Sequence, residues 1–167
     1  MIGSPDALAI YLNDHLAGAT GGTELARRVA AGKRDSAQAA TFERLAAEIA
    51  QDRESLLRIM GQLAVRTNPA KVAAGWLGEK VGRFKLNGRL LSRAPLSDVL
   101  EAELLRLGVT GKAAGWRALR AVAEVDDRLD RDDLDSLIQR ADRQVDELEE
   151  LRVQAAAAAF VASPAKS

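Results

Sequence analysis

Four long stretches of this chain repeat apolar residues in alternating steps of three and four, and that pattern leaves few folds open. Leu8, Leu12, His15, Ala19, Gly22, Ala26 and Val29 make one stripe, and Phe42, Leu45, Ile49, Asp52, Leu56, Ile59 and Leu63 a second. Leu100, Leu104, Leu107, Gly111, Ala114, Ala118, Ala121 and Val125 make a third; Leu134, Leu137, Ala141, Gln144, Leu148, Leu151 and Ala155 a fourth. Seams that return every seven residues suit left-handed helix packing at about 20°. An all-α chain follows, with four helices around one core.

The punctuation between the stripes sets the helix limits. Ser4-Pro5-Asp6 can cap and open the first helix, which runs to about Ala31 before the turn Gly32-Lys33-Arg34-Asp35. The second runs from near Ser36 to about Arg66, where Asn68-Pro69 stops it. The third begins near Pro95-Leu96-Ser97-Asp98 and reaches about Val125, with Gly108 and Gly111 as points where it can kink. The fourth opens in the acid-rich turn Asp130, Asp132, Asp133 and Asp135, as the positive end of a helix favours. Residues 69 to 95 are punctuated by glycine, and a short helix from about Lys71 to Lys85 would lay Val72, Trp76, Val81 and Phe84 on the bundle. Two short turns and one long middle connection predict a four-helix bundle in which the second and third helices run parallel. A single domain over residues 1–162 and a disordered tail over 163–167 are expected.

Three of the stripes are each broken by one polar residue. His15 lies nineteen positions before residue 34, taken as the centre of the first turn, and Asp52 eighteen after it. At ~1.5 Å per residue both sit ~27–29 Å along the axis, so they should be neighbours. Gln144 and Gly111 fall near the middles of their own helices. A buried polar layer of His15, Asp52 and Gln144, with Gly111 leaving room beside it, is the expectation. A buried unpaired carboxylate costs several kcal/mol, so Asp52 needs a partner there. Such a layer can fix register and helix pairing, or it can be the floor of a ligand or metal site.

The stretches Leu45-Ala-Ala-Glu-Ile-Ala-Gln-Asp52 and Ala141-Asp-Arg-Gln-Val-Asp-Glu-Leu148, with the paired long helices, resemble the ferritin-like superfamily. Ala74-Gly-Trp-Leu-Gly-Glu-Lys-Val-Gly-Arg-Phe-Lys-Leu-Asn-Gly88 and Leu107-Gly-Val-Thr-Gly-Lys112 are similar to a ferritin-like group of high-GC bacteria. The resemblance implies a ferritin-like bundle with a long crossover between the second and third helices, and no established activity. Metal-binding members of the superfamily use a Glu from each of two helices and Glu-x-x-His from each of the others. That motif is missing. The residue three before His15 is Leu12, and the matching spacings elsewhere give Glu48-x-x-Gln51 and Asp142-x-x-Val145. A reduced metal site from His15, Glu48 and Asp52, even with Glu103, is the alternative to a structural or protein-interaction role; no cofactor is expected.

Other chemistry finds little support. Without cysteine there is no disulfide, thiol nucleophile or thiolate metal site. With one histidine and no Gly-x-Ser-x-Gly, a serine triad is not credible. Gly108-Val-Thr-Gly-Lys-Ala113 lacks the spacing of a phosphate loop. Net charge is zero, with bases concentrated at Lys71, Lys80, Arg83, Lys85, Arg89 and Arg93 and acids over residues 124–150; solvated faces explain this better than a nucleic-acid surface. No signal peptide is read in Met1 to Asp6, and the apolar run Ala155 to Ala162 is too short for a bilayer. A soluble, cytoplasmic protein is expected. A second stripe on the third helix, Leu105, Val109, Trp116 and Leu119 interrupted by Lys112, predicts a homodimer through helix faces.

Overall fold

The computed structural model describes residues 5–68 and 95–161, with positions 70 and 73 between them. It holds four helices: α1 (Pro5–Gly32), α2 (Ala39–Gln62), α3 (Pro95–Val122) and α4 (Arg131–Val161). No strand occurs among the described residues. The short helix expected between Lys71 and Lys85, the basic stretch that contains it, and the tail after Val161 lie outside the described residues.

Long side chains record which way each helix runs. Arg53 of α2 donates to the Thr20 hydroxyl of α1 at 3.2 Å, while Asn13, earlier in α1, bonds backbone beyond the end of α2. These two helices are therefore antiparallel. Lys33, just past α1, pairs with Asp98 at the start of α3 at 2.5 Å. The His15 ring, near the other end of α1, lies against Gly115 far along α3. So α3 runs against α1 and in the same direction as α2. Arg117–Asp142 at 2.7 Å and Arg106–Glu149 at 3.0 Å make α4 antiparallel to α3.

Backbone packing is closest within α1–α2, α3–α4 and α1–α3. Among the described residues α2 approaches neither α3 nor α4 as closely. Side chains that cross the bundle bridge that wider gap, and this positions the site described below.

The first, second and fourth stripes supply the core largely as their spacing predicts. Leu12, Leu16, Ala26 and Val29 of α1, Phe42, Leu45, Ile49, Leu56 and Ile59 of α2, and Leu134, Leu137, Ala141, Leu148 and Leu151 of α4 are all buried. The third stripe differs. Leu100, Leu107 and Val125 are 40%, 61% and 87% exposed, and Gly111, Ala114, Ala118 and Ala121 are exposed with them. The core is built instead by Val99, Ala102, Leu105, Val109, Ala113, Trp116, Leu119 and Ala123. Both stripes have helical spacing, so size decides. Both carry leucine in their first half, but in the second half burying Val109, Trp116 and Leu119 removes more apolar surface from water than burying Gly111, Ala114, Ala118 and Ala121 would, at about 25 cal/mol per Å². Gly108 and Gly111 leave α3 unbroken.

α2 stops at Gln62, four residues before its expected end. The Val65 N–H bonds Met60 O at 2.9 Å and the Ala64 N–H bonds Gly61 O at 3.1 Å, the paired bonds of a Schellman motif. Its left-handed position falls on Ala64, φ 57°, where an L side chain crowds the backbone. Asn13 then secures the exit, donating to Arg66 O at 3.1 Å and accepting from the Asn68 N–H at 2.8 Å. At the start of α4, Asp130 caps the helix by accepting from the N–H groups of Asp132 and Asp133. Replacing Ala64→Gly is expected to stabilise the fold by about 1 kcal/mol, read as a higher midpoint in urea melts, because glycine removes the left-handed strain.

Candidate functional site

Asp52 is 1% exposed, yet it is an acid at the centre of an apolar face. Partners from two other helices answer it. Its Oδ1 accepts from an Nη2–H of Arg140 on α4, and its Oδ2 accepts from Lys112 Nζ on α3, both in short contacts. Oδ2 also receives Gln144 Nε2 at 3.3 Å. Gln144, equally buried, turns its Oε1 to Lys112 Nζ at 2.6 Å and donates through Nε2 to Glu48 at 3.0 Å. Glu48 in turn accepts from Arg44 at 3.1 Å, and Arg44 reaches Glu147 at the rim.

Two acids, Asp52 and Glu48, thus face two bases, Lys112 and Arg140, around one amide. Local sequence places them. Asp52 replaces an apolar residue in the α2 stripe, Glu48 lies one turn before it, and Arg140 lies one turn before Gln144 on the same face of α4. Lys112 interrupts the buried stripe of α3. Its four-carbon stem runs through the apolar interior while the ammonium meets oxygen at the far side. Burial holds the Lys112 ammonium below its ordinary 10.5, and the nearby Arg140 pushes the same way, against the attraction of Asp52. Burial would raise the Glu48 carboxyl, but hydrogen bonds from Gln144 and Arg44 and the charges of Arg44 and Arg143 outweigh it, so Glu48 lies below its ordinary 4.5.

The layer expected from sequence is brought together in part. Asp52 and Gln144 meet, and Glu48 joins through Gln144. His15 is elsewhere, bonded through Nδ1 to Tyr11 O at 3.0 Å, with the Tyr11 ring centroid 4.2 Å away. Its ring fills the notch at Gly115, where a Cβ would stand 2.6 Å from His15 Cδ2. The first turn explains the displacement. α1 ends at Gly32 and α2 begins at Ala39, so the midpoint lies nearer 36 than 34 and His15 sits about one helical turn, ~5 Å, from the height of Asp52. Gly111 points outward, one residue away from the position that matters, Lys112. Glu103 pairs with Arg152 at 3.5 Å, away from the layer.

Lys112 and Arg140 are the members that the stripe reading leaves out. Lys112 carries a signal in the sequence, because a lysine within Leu105, Val109, Trp116 and Leu119 either breaks a core or enters one. Arg140 carries less, since arginine one turn from a core glutamine is equally at home on a rim.

Among the described residues no three His, Cys, Asp or Glu side chains converge as metal ligands, and no helix is long and apolar enough to cross a membrane. What the arrangement can do is fix geometry: Asp52 accepts from α3 and α4 together only when all three helices hold the right height. The described chain is an all-α four-helix bundle. Comparison with family models, curated proteins and solved structures found no match for it.

Asp52→Leu alone is expected to destabilise by ~3–5 kcal/mol, since Lys112 and Arg140 lose their buried counter-charge. Asp52→Leu with Lys112→Leu should recover most of that loss in urea melts. Two changes that simply add would contradict the pairing.

Proposed function

We propose that this chain is a ferritin-like bundle with a structural or protein-interaction role, in which a tethered ammonium replaces metal at mid-height. The observation that carries this reading is Lys112 Nζ, which bonds oxygens of Asp52 on α2 and Gln144 on α4 at once. A cation held by oxygens from separate helices is what a bundle metal site requires, and here it is covalently part of α3. The parallel course of α2 and α3 supports the ferritin-like reading, in which the second and third helices run the same way. Resemblance to a group from high-GC bacteria extends the reading to a bacterial, cytoplasmic protein.

The donor set does not fit a di-metal centre. Its one fully buried carboxylate already faces two cations, which a divalent ion would meet as like charges. His15, the only imidazole of the chain, is committed to Tyr11 and Gly115 about a turn away. The rival reading is a mid-bundle site for a metal or small ligand built on His15, Glu48 and Asp52.

Elemental analysis of protein purified without a histidine tag separates the two. Iron, manganese and zinc are expected well below one equivalent per chain, both as purified and after incubation with each metal and desalting. One equivalent that disappears in Asp52→Asn would overturn the proposal.

A further inference from the structure

Helix α3 has an outer face as ordered as its inner one. Ser97, Leu100, Leu104, Leu107, Gly111, Ala114, Ala118 and Ala121 follow in steps of three and four along the 28-residue helix. At about 100° per residue they lie on the side opposite Leu105, Val109, Trp116 and Leu119. None of them is charged. Leu107 is the most exposed leucine of the row, Leu104 is half-buried, and a Cβ added at Gly111 would meet nothing within 4 Å. Isolated exposed leucines need no explanation, but a charge-free heptad row spanning a whole helix is the pattern of a helix–helix seam.

The row is also polarised, with bulky residues in its first half and small ones in its second. Reversed upon itself about position 109, it matches large to small in its three central layers, while Ser97 and Ala121 meet at the ends. Leu100 comes opposite the partner's Ala118, Leu104 opposite the partner's Ala114, and Leu107 opposite the open notch at the partner's Gly111. Parallel pairing would instead stack leucine on leucine and leave alanine facing alanine across a gap. The flank agrees. Glu103 and Arg117, paired within the chain to Arg152 and Asp142 respectively, border the same edge of the row, 44% and 52% exposed, and in this register each lies beside the other on the partner. Antiparallel helices bring the same flank together, so acid meets base twice across a two-fold axis.

We propose that the outer face of α3 is a homodimer interface in which two copies pack antiparallel, with the two-fold axis level with position 109. This deepens the interaction role proposed above and rests on it. The partner is a second copy because the face is complementary to its own reverse in both size and charge. The seam is the stripe predicted to be core, not the stripe predicted to dimerise.

The chain has no cysteine, so introduced thiols report the register cleanly. After subunit exchange and oxidation, an equal mixture of Leu100→Cys and Ala118→Cys is expected to form a disulfide-linked dimer, while neither variant does so alone. Sedimentation of the unmodified protein should show a species of twice 17.9 kDa. Leu107→Glu, which alters no core contact, should keep its helical circular dichroism and weaken association at least about tenfold, because the glutamate would be desolvated unpaired. A 17.9 kDa species at all concentrations up to ~100 µM, a dissociation constant that would mark a contact too weak to be specific, overturns the proposal. So does linkage of either cysteine variant with itself, which signals parallel pairing, or protection of position 107 within a monomer, which signals cover by the protein's own residues. None of these outcomes touches the metal analysis, so failure of the dimer and failure of the metal-free reading are distinguishable.

Discussion

A carboxylate removed from water must be answered by charge, and at Asp52 this requirement organises three helices. Lys112 arrives from α3, Arg140 and Gln144 from α4, and Asp52 from α2. The apolar seams around them tolerate sliding by a turn at modest cost, since leucine packs nearly as well against one leucine as another. The ionic layer does not. A slip of one turn on any of the three helices would leave a charge buried without its partner, at a cost of ~3–5 kcal/mol. The wider separation of α2 from the α3–α4 hairpin makes long side chains the natural link, and lysine and arginine are the residues with that reach.

The charge of Lys112 is not a source of net stability. Lys112 gives up its proton more easily in the folded chain than in the unfolded one, because burial outweighs the pull of Asp52. With the folded value below 10.5, the unfolded chain binds more protons in the window between that folded value and 10.5. Stability from this group therefore rises as pH climbs through the window, and its charged form weighs against folding at neutral pH. A group of this kind in a core serves specificity: it selects one register and one set of helix partners over near-equivalent alternatives. The same ammonium takes the oxygens that a metal would need, which ties the architecture to the proposed non-catalytic role.

Much of this was legible in the chain. The stripes of α1, α2 and α4 and the polar breaks at Asp52 and Gln144 all follow from period and punctuation. Three points did not, each for a physical reason. α3 carries two seams of equal regularity, both with leucines in their first half, and only the volume of Val109, Trp116 and Leu119 against Gly111 and three alanines in the second half says which is buried. His15 seemed level with Asp52 because a turn centred two residues late moves a helix by several ångströms. α2 ends early because Ala64 accepts a left-handed conformation that sequence preference assigns to glycine, with Asn13, distant in sequence, taking up the freed backbone groups.

Nitrogen-15 NMR of the lysine side chains reaches the heart of the matter most directly. The Lys112 ammonium should appear as a slowly exchanging signal with cross-peaks to Gln144, and should titrate below 10.5, the ordinary value of a lysine. An ammonium that exchanges as fast as those of surface lysines and titrates at the ordinary value would show that Asp52 is held by something else.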